Sequence, residues 1–288
     1  GIVVVAANAG GAWSPIGDVT TTMLWIGGQL STMTIITTLF IPSLVAMLVP
    51  LIILTFTLKG EVKRPMRMDG IEHYTNPTTK FERNLIFFLG VAGLLFVPIF
   101  KTVTHLPPFM GMMLSLGVLW AVTEVIHSSK NKEDKSQLSV IGVLRKVDTA
   151  SVLFFLGILL AVAGLQSAGQ LALMAGSLND LFDGNVYAIN IVIGLLSAIV
   201  DNVPLVAGSM GMYEITEAGD FAKDGIFWQF LAFCAGTGGS ALIIGSAAGV
   251  AVMGLEKIDF VWYLKKISIL ALIGYFAGAG TYILIQSL

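Results

Sequence analysis

Long apolar blocks separated by short polar stretches dominate the chain. Five of them, at 31–58, 84–104, 109–126, 149–172 and 186–213, and a glycine-interrupted sixth at 226–254, have the length of a membrane span. About 20 apolar residues in a helix cross about 30 Å of hydrocarbon. With an interrupted segment at 1–30 and a final helix within 255–288, the pattern predicts an all-α polytopic membrane protein. The length suits about seven to nine crossings.

Composition agrees. Of 288 residues, 56% are hydrophobic and 12% charged, against about 25% charged in an ordinary soluble domain. The mean hydropathy is +0.86. A soluble globule and a disordered chain are excluded, and so is nucleic-acid binding through a basic surface. A disulfide scaffold is excluded because Cys234 stands alone and is expected to pack.

The positions of the bases say more than the net charge of -2. Lys59, Lys63, Arg64, Arg67, Lys80 and Arg83 lie in 59–83, Lys130, Lys132, Lys135, Arg145 and Lys146 in 127–148, and Lys257, Lys265 and Lys266 in 255–266. Basic loops stay in the cytoplasm, so these three are expected there. Two crossings at 84–104 and 109–126 join the first two loops on one side, as required. Working outward, Gly1 is inside, Gly27-Gly28-Gln29 outside, and the loop with Asn179, Asp180 and Asp183 outside. A simple crossing at 186–213 would then put the Lys257 loop on the wrong side. Parity returns if 186–213 is a re-entrant hairpin turning near Asp201-Asn202-Val203-Pro204, where proline interrupts the helical ladder. Such backbone is tolerated at membrane depth where protein or a wet cavity surrounds it.

Two glycine-rich interruptions are related. NAGGAWSPIGD (8–18) aligns without gaps on GTGGSALIIGS (236–246) at an offset of 228, with Gly10-Gly11 on Gly238-Gly239, Ile16-Gly17 on Ile244-Gly245 and Asp18 on Ser246. Parity runs the two elements in opposite directions, which is the pattern of an inverted-repeat ion transporter with broken helices. Close helix packing is the competing reading of paired glycines, but the interruptions also hold Asn8, Ser14, Asp18, Thr20, Thr21, Thr237, Ser240 and Ser246. By the same offset the partner of Asp201-Asn202 falls about 27 residues before Gly1. Together with an apolar start that has neither Met nor a charged flank, this leads us to expect the C-terminal part of a longer protein.

Asp18 and Asp201 are the acids deep inside apolar runs. A carboxylate at the bilayer centre costs about 2.5–3.5 kcal/mol on insertion scales, so each is expected to face a cavity. With no basic neighbour in sequence, each suits a proton or a small cation, one excluding the other. Backbone carbonyls, half-helix C-terminal ends and the oxygens of Asn8, Ser14, Thr20, Thr21, Ser197, Asn202 and Ser240 supply the ligands that sodium prefers. Helix capping is the alternative role for both aspartates. His73 and His127 fall in polar loops and His105 at an outer helix end, all expected to be solvated; Glu124 is expected to snorkel. No nucleophile–base constellation or metal-ligand spacing marks an enzyme.

NAGGAWSPIGDVTTTMLW (8–25), SVLFFLGILLAVAGL (151–165), LLSAIVDNVPLVAGSMGMY (195–213) and FCAGTGGSALIIGSAAGVAVMG (233–254) closely resemble the NhaD-type sodium/proton antiporter family. It belongs to the ion transporter superfamily that also contains dicarboxylate and arsenite carriers. The resemblance implies exchange of Na+ or Li+ for H+ across a bacterial inner membrane, or a plastid envelope in plant relatives. It implies no resident cofactor, a lipid bilayer around the protein, and a homodimer. Family positions fall on Asn8, Asp18, Thr20 and Thr21, on Ser197, Asp201 and Asn202, and on Ser240 and Ser246, with Na+ at Asp18, Asp201 and Asn202. The first Asp-Asn hairpin of the family has no counterpart in this sequence.

The expected organisation is a first-repeat broken helix at 1–30, scaffold helices at 31–148, a second-repeat transport core at 149–254 containing the hairpin 186–213 and the broken helix 226–254, and a loop with a final scaffold helix at 255–288. The rival readings are a sodium-coupled carboxylate symporter of the same superfamily and a non-transporting membrane subunit.

Overall fold

The computed structural model describes residues 1–57, 78–131, 138–145, 147 and 149–288. Lys59, Lys63, Arg64, Arg67, His73, Lys132, Lys135 and Lys146, on which part of the loop assignment rests, lie outside the described residues. The helices are α1 (Ile2–Ala12), α2 (Val19–Gly27), α3 (Thr32–Thr57), α4 (Lys80–Thr104), α5 (Pro108–His127), α6 (Val140–Leu144), α7 (Thr149–Ser167), α8 (Gln170–Leu181), α9 (Val186–Leu196), α10 (Asn202–Met212), α11 (Ile226–Gly238), α12 (Ala247–Glu256) and α13. The last runs from Phe260 to Gln286 and includes a π-helical turn at Leu264–Ser268. No strand forms among the described residues.

Among the described residues four helices are long and apolar enough to span a membrane: α3, α4, α5 and α13. The pair Leu156–Ser167 and Gln170–Leu181 is apolar enough when taken together and is bent by 77° at the break, the form of a broken span or a re-entrant loop. Gly169 takes a φ of 73° there, a conformation that costs glycine little. Phe56, Phe87, Phe88 and Phe109 are exposed on the long helices, which in water would be unfavourable and in lipid is not. The protein is an integral membrane protein.

Two compact units divide the chain, Gly1–Leu58 with Phe154–Leu288, and Lys59–Leu153. In the smaller unit α4 starts with a capping box in which Thr79 and Glu82 satisfy each other's backbone N–H groups. It ends at His105 in the left-handed region, and Pro108 opens α5 where its missing N–H costs nothing. Ser115 Oγ donates to Gly93 O at 3.0 Å and locks α4 to α5. Lys130 Nζ donates to Glu82 Oε2 at 2.7 Å. His127 is not a solvated loop residue: it is the last residue of α5 and buried, and its Nδ1 has no hydrogen-bond partner.

The larger unit is built around α11. Every residue from Phe227 to Gly238 is buried, so this mostly apolar helix is enclosed on all sides and makes the centre of the core. On one side α9 approaches it backbone to backbone: a Cβ on Gly238 would collide with the carbonyl of Gly194. Asn190 Nδ2 donates to Phe227 O at 3.0 Å and Ser197 Oγ to Ala235 O at 2.9 Å along the same seam. Elsewhere α3 packs on α13 where Gly274 and Gly278 face Pro42, Ala46 and Pro50, the small-residue contact usual between membrane helices.

Two expectations are revised. Asn179 and Asp180 are helical, in the last turns of α8, because polar residues at a helix end look like a loop by composition alone. The turn of the 186–213 segment also sits earlier than Asp201–Pro204. Helix α9 ends at Leu196 and α10 restarts at Asn202, leaving 197–201 as the break. Pro204 is inside the first turn of α10, where backbone N–H groups have no helical acceptor anyway.

Candidate functional site

Both glycine-rich interruptions break their helices, and they break them alike. After α1 the chain leaves the helix at Trp13 and re-enters at α2 with Asp18 as N-cap, at φ -142° and ψ 154°. After α11 it re-enters at α12 with Ser246 as N-cap, at φ -154° and ψ 154°. Each break closes on a turn in which a glycine N–H donates three residues back, Gly17 to Ser14 O and Gly245 to Leu242 O, both at 3.1 Å. A Cβ at Gly11 would stand 2.9 Å from Gly17 O, and one at Gly239 would stand 2.5 Å from Gly245 O. The two breaks therefore share dihedrals, turn and close approach at the same 228-residue offset. The caps explain the types: extended backbone with a short side-chain oxygen satisfies the first N–H groups of the next helix.

Asp18 is the most heavily bonded group of the site. Its Oδ1 accepts from Val19 N–H at 2.8 Å, and its Oδ2 accepts from the Thr20 hydroxyl and from Asn202 Nδ2, the latter at 3.2 Å. The bond from Asn202 joins the first interruption to the start of α10. Asn8, buried on α1, donates through Nδ2 to Ser240 Oγ and Ser246 Oγ, each at 2.9 Å, and so joins the first interruption to the second. With the amide nitrogen spent twice, Asn8 Oδ1 is left as the free acceptor. Asp201 caps α10 by accepting from Val203 N–H at 3.2 Å through Oδ1.

Between these elements lies a cavity of about 150 Å³ lined by Ala7, Asn8, Gly17, Asp18, Val19, Asp201, Asn202, Val203, Ser246, Ala247 and Ala248. Two carboxylates face it and no Lys, Arg or His lines it. Of the residues singled out in the sequence, Asn8, Asp18, Asp201, Asn202 and Ser246 line this cavity, while Thr20 and Ser240 touch it through Asp18 and Asn8. Thr21 is turned back, its hydroxyl donating to Asp18 O at 3.0 Å, and Ser197 is spent on Ala235 O. Ser14 accepts from Ile16 N–H within the first break. Apart from Ala7 and Asn8 of α1, the walls are the N-terminal ends of α2, α10 and α12, not the helix C-termini expected from the sequence, because the chain re-enters a helix at each of these three points. Among the described residues no group of three His, Cys, Asp or Glu could hold a transition metal.

Sequence reasoning missed Tyr263, fully buried on α13, whose hydroxyl donates to Ser240 O at 2.9 Å. It sits in an aromatic run, FVWY, with no local sign of a polar partner.

Long apolar helices with two interrupted helices meeting at a carboxylate-lined cavity define a polytopic membrane protein with a buried polar site, the class to which secondary transporters belong. The family model described as Citrate transporter (CitMHS) matches residues 1–228, and the chain belongs to this family. It is 51% identical to Sodium/proton antiporter 1 of Arabidopsis thaliana over 290 residues, covering 100% of this chain and 48% of that protein. It is 47% identical to Sodium/proton antiporter 2 of the same plant, over 99% of this chain and 66% of that protein. With the Na(+)/H(+) antiporter NhaD of Vibrio cholerae the identity is 32%, over 95% of this chain and 58% of that protein. The chain thus spans about half to two thirds of the length of these curated relatives.

Proposed function

We propose that this chain forms the cation-coupling part of a Na+/H+ antiporter that also accepts Li+. The observation that carries the reading is the cavity that Asp18 and Asp201 line together with Asn8 and Asn202 and without a basic side chain. A protein with a fixed cation there would neutralise the pair; without one, a proton or a sodium ion does so, and each displaces the other. Na+ would be held by Asp18, Asp201 and Asn202, with Asn8 Oδ1 as a neutral ligand. Names of the relatives, sodium/proton antiporters in plants and bacteria, support the same reading.

In this reading the two breaks belong to an inverted repeat, and α9 and α10 form a re-entrant hairpin whose break faces the ion. The hairpin and the interrupted helices move together against the helices around 31–126, giving access from alternate sides. The loops 59–83, 127–148 and 255–266 lie in the cytoplasm, the protein works in a bacterial inner membrane, and it pairs as a homodimer. No resident cofactor is needed.

The test is sodium-induced dequenching of a pH-sensitive dye in vesicles bearing the full-length protein. Asp201→Asn should abolish exchange; unchanged exchange with an unchanged pH profile would refute the coupling role. One observation favours a sodium-coupled carboxylate symporter instead: three helix N-termini open on the cavity, and such ends attract anions. Sodium-dependent uptake of labelled citrate, without proton release, would decide for that reading.

A further inference from the structure

The last helix enters the membrane core through an irregular turn. Tyr263 ends its first, α-helical turn, and a π-helical turn follows at Leu264–Ser268. Single π-turns are costly and tend to be kept where they place a side chain. Here the side chain placed is Tyr263, fully buried among Val4 and Val5 of α1, Ile243 of the second break, and Ile267 and Ala271 of α13. Its hydroxyl is the one polar group of that cluster, and it donates to the carbonyl of Ser240 at 2.9 Å. The carbonyl lies beyond the C-terminal end of α11, outside the helical hydrogen-bond ladder.

We infer that Tyr263 is a positioning residue for the ion site. It fixes the backbone of Ser240, Ser240 Oγ then accepts from Asn8 Nδ2, and the Asn8 amide is held in place at the cavity wall. Ser246 holds the same amide from the far end of the break, so the orientation depends on the break keeping its length and path. Tyr263 touches neither the ion nor either carboxylate; it acts through three bonded groups. The inference rests on the cation reading above and adds to it a residue from α13, an element that supplies none of the cavity wall.

The same helix provides its own control. Tyr275 is also buried, and its hydroxyl also donates to a backbone carbonyl, that of Ile191 on α9 at 3.0 Å, away from both breaks. Tyr263→Phe and Tyr275→Phe each remove one buried hydroxyl from the same helix. In the dequenching assay Tyr263→Phe should raise the sodium concentration for half-maximal exchange about three- to tenfold, the size of effect of one lost hydrogen bond, with the maximal rate kept within about twofold. Tyr275→Phe should leave the half-maximal concentration unchanged. In parallel, amide hydrogen exchange at 239–246 should quicken about tenfold in Tyr263→Phe only.

Equal half-maximal concentrations in the two variants, or a fall in maximal rate alone, would overturn the positioning role. Failure of the wild-type protein to exchange sodium for protons would remove the transport reading instead. Hydrogen exchange then decides the placement by itself: faster exchange at 239–246 in Tyr263→Phe sustains it, and unchanged exchange overturns it.

Discussion

Asn8 Nδ2 lies 2.9 Å from Ser246 Oγ, so the first interrupted helix is tied to the cap of the second across 238 positions of sequence. The same nitrogen bonds Ser240 at the opposite end of that break. A single amide thereby sets the distance between the two interruptions, and its oxygen is left over for whatever enters the cavity.

A double-mutant cycle should find this tie. Asn8→Ala takes the side-chain donor from two buried serine hydroxyls and should cost about 1–3 kcal/mol. Ser246→Ala removes an acceptor and the cap of α12, about 1 kcal/mol. Because both variants break one shared bond, the double variant should be less destabilised than the sum by at least about 0.5 kcal/mol. Unfolding of the detergent-solubilised protein measures it, and strict additivity would show that the two breaks are not coupled through Asn8.

The glycines of one motif should separate sharply. Nothing lies within 4 Å of a Cβ on Gly10, so Gly10→Ala should be tolerated, with a gain in helix propensity of up to about 1 kcal/mol. A Cβ on Gly11 would press on Gly17 O and on the Cβ of Asp18, both at 2.9 Å. Gly11→Ala should therefore displace the Asp18 cap and lose sodium-dependent exchange while the folded protein is still recovered. Equal behaviour of the two variants in the exchange assay would argue against the close approach.

Asp224 should hold the segment before α11 in place. Its Oδ1 accepts from Ser31 N–H at 2.6 Å, and its own N–H donates to Gln29 O at 2.8 Å. Asp224→Leu removes the carboxylate acceptor, a charged hydrogen bond of about 1.5–3 kcal/mol. Protease cutting within 214–225 should increase accordingly, whereas Asp224→Asn, which keeps an acceptor, should be cut much less.

Pro204 should matter little. It lies in the first turn of α10, where its ring fits the helical φ and its missing N–H is not needed. Pro204→Ala should change stability by less than about 1 kcal/mol and leave exchange intact. A large loss would mean that proline holds the break itself.

Much of this arrangement is legible in the chain because it is local. Gly11 and Gly17 mark the first break, Gly239 and Gly245 the second, and Asp18 and Ser246 fall on the two caps, since capping and glycine contacts act within a few residues. Asp201-Asn202 likewise marks the start of α10. The details that escape are long-range or depend on a boundary. The approach of Gly194 to Gly238 and the bond from Tyr263 to Ser240 join segments that no local pattern relates. Pro204 suggests a turn tip and is found inside a helix, because proline breaks a helix in its interior and begins one at its start. Ser14, Thr21 and Ser197 each have a backbone partner, Ile16 N–H, Asp18 O and Ala235 O, which no local pattern in the chain announces.

The central claim is that a proton and a sodium ion compete for the carboxylates at Asp18 and Asp201. It is tested most directly by the sodium concentration for half-maximal exchange, measured across pH in wild type and in Asp18→Asn. Competition predicts that this concentration rises as pH falls, approaching about tenfold per pH unit where protons occupy the site, with the maximal rate restored by excess sodium. Asp18→Asn should lose that dependence. A half-maximal concentration that stays constant with pH while the maximal rate falls would contradict a shared site.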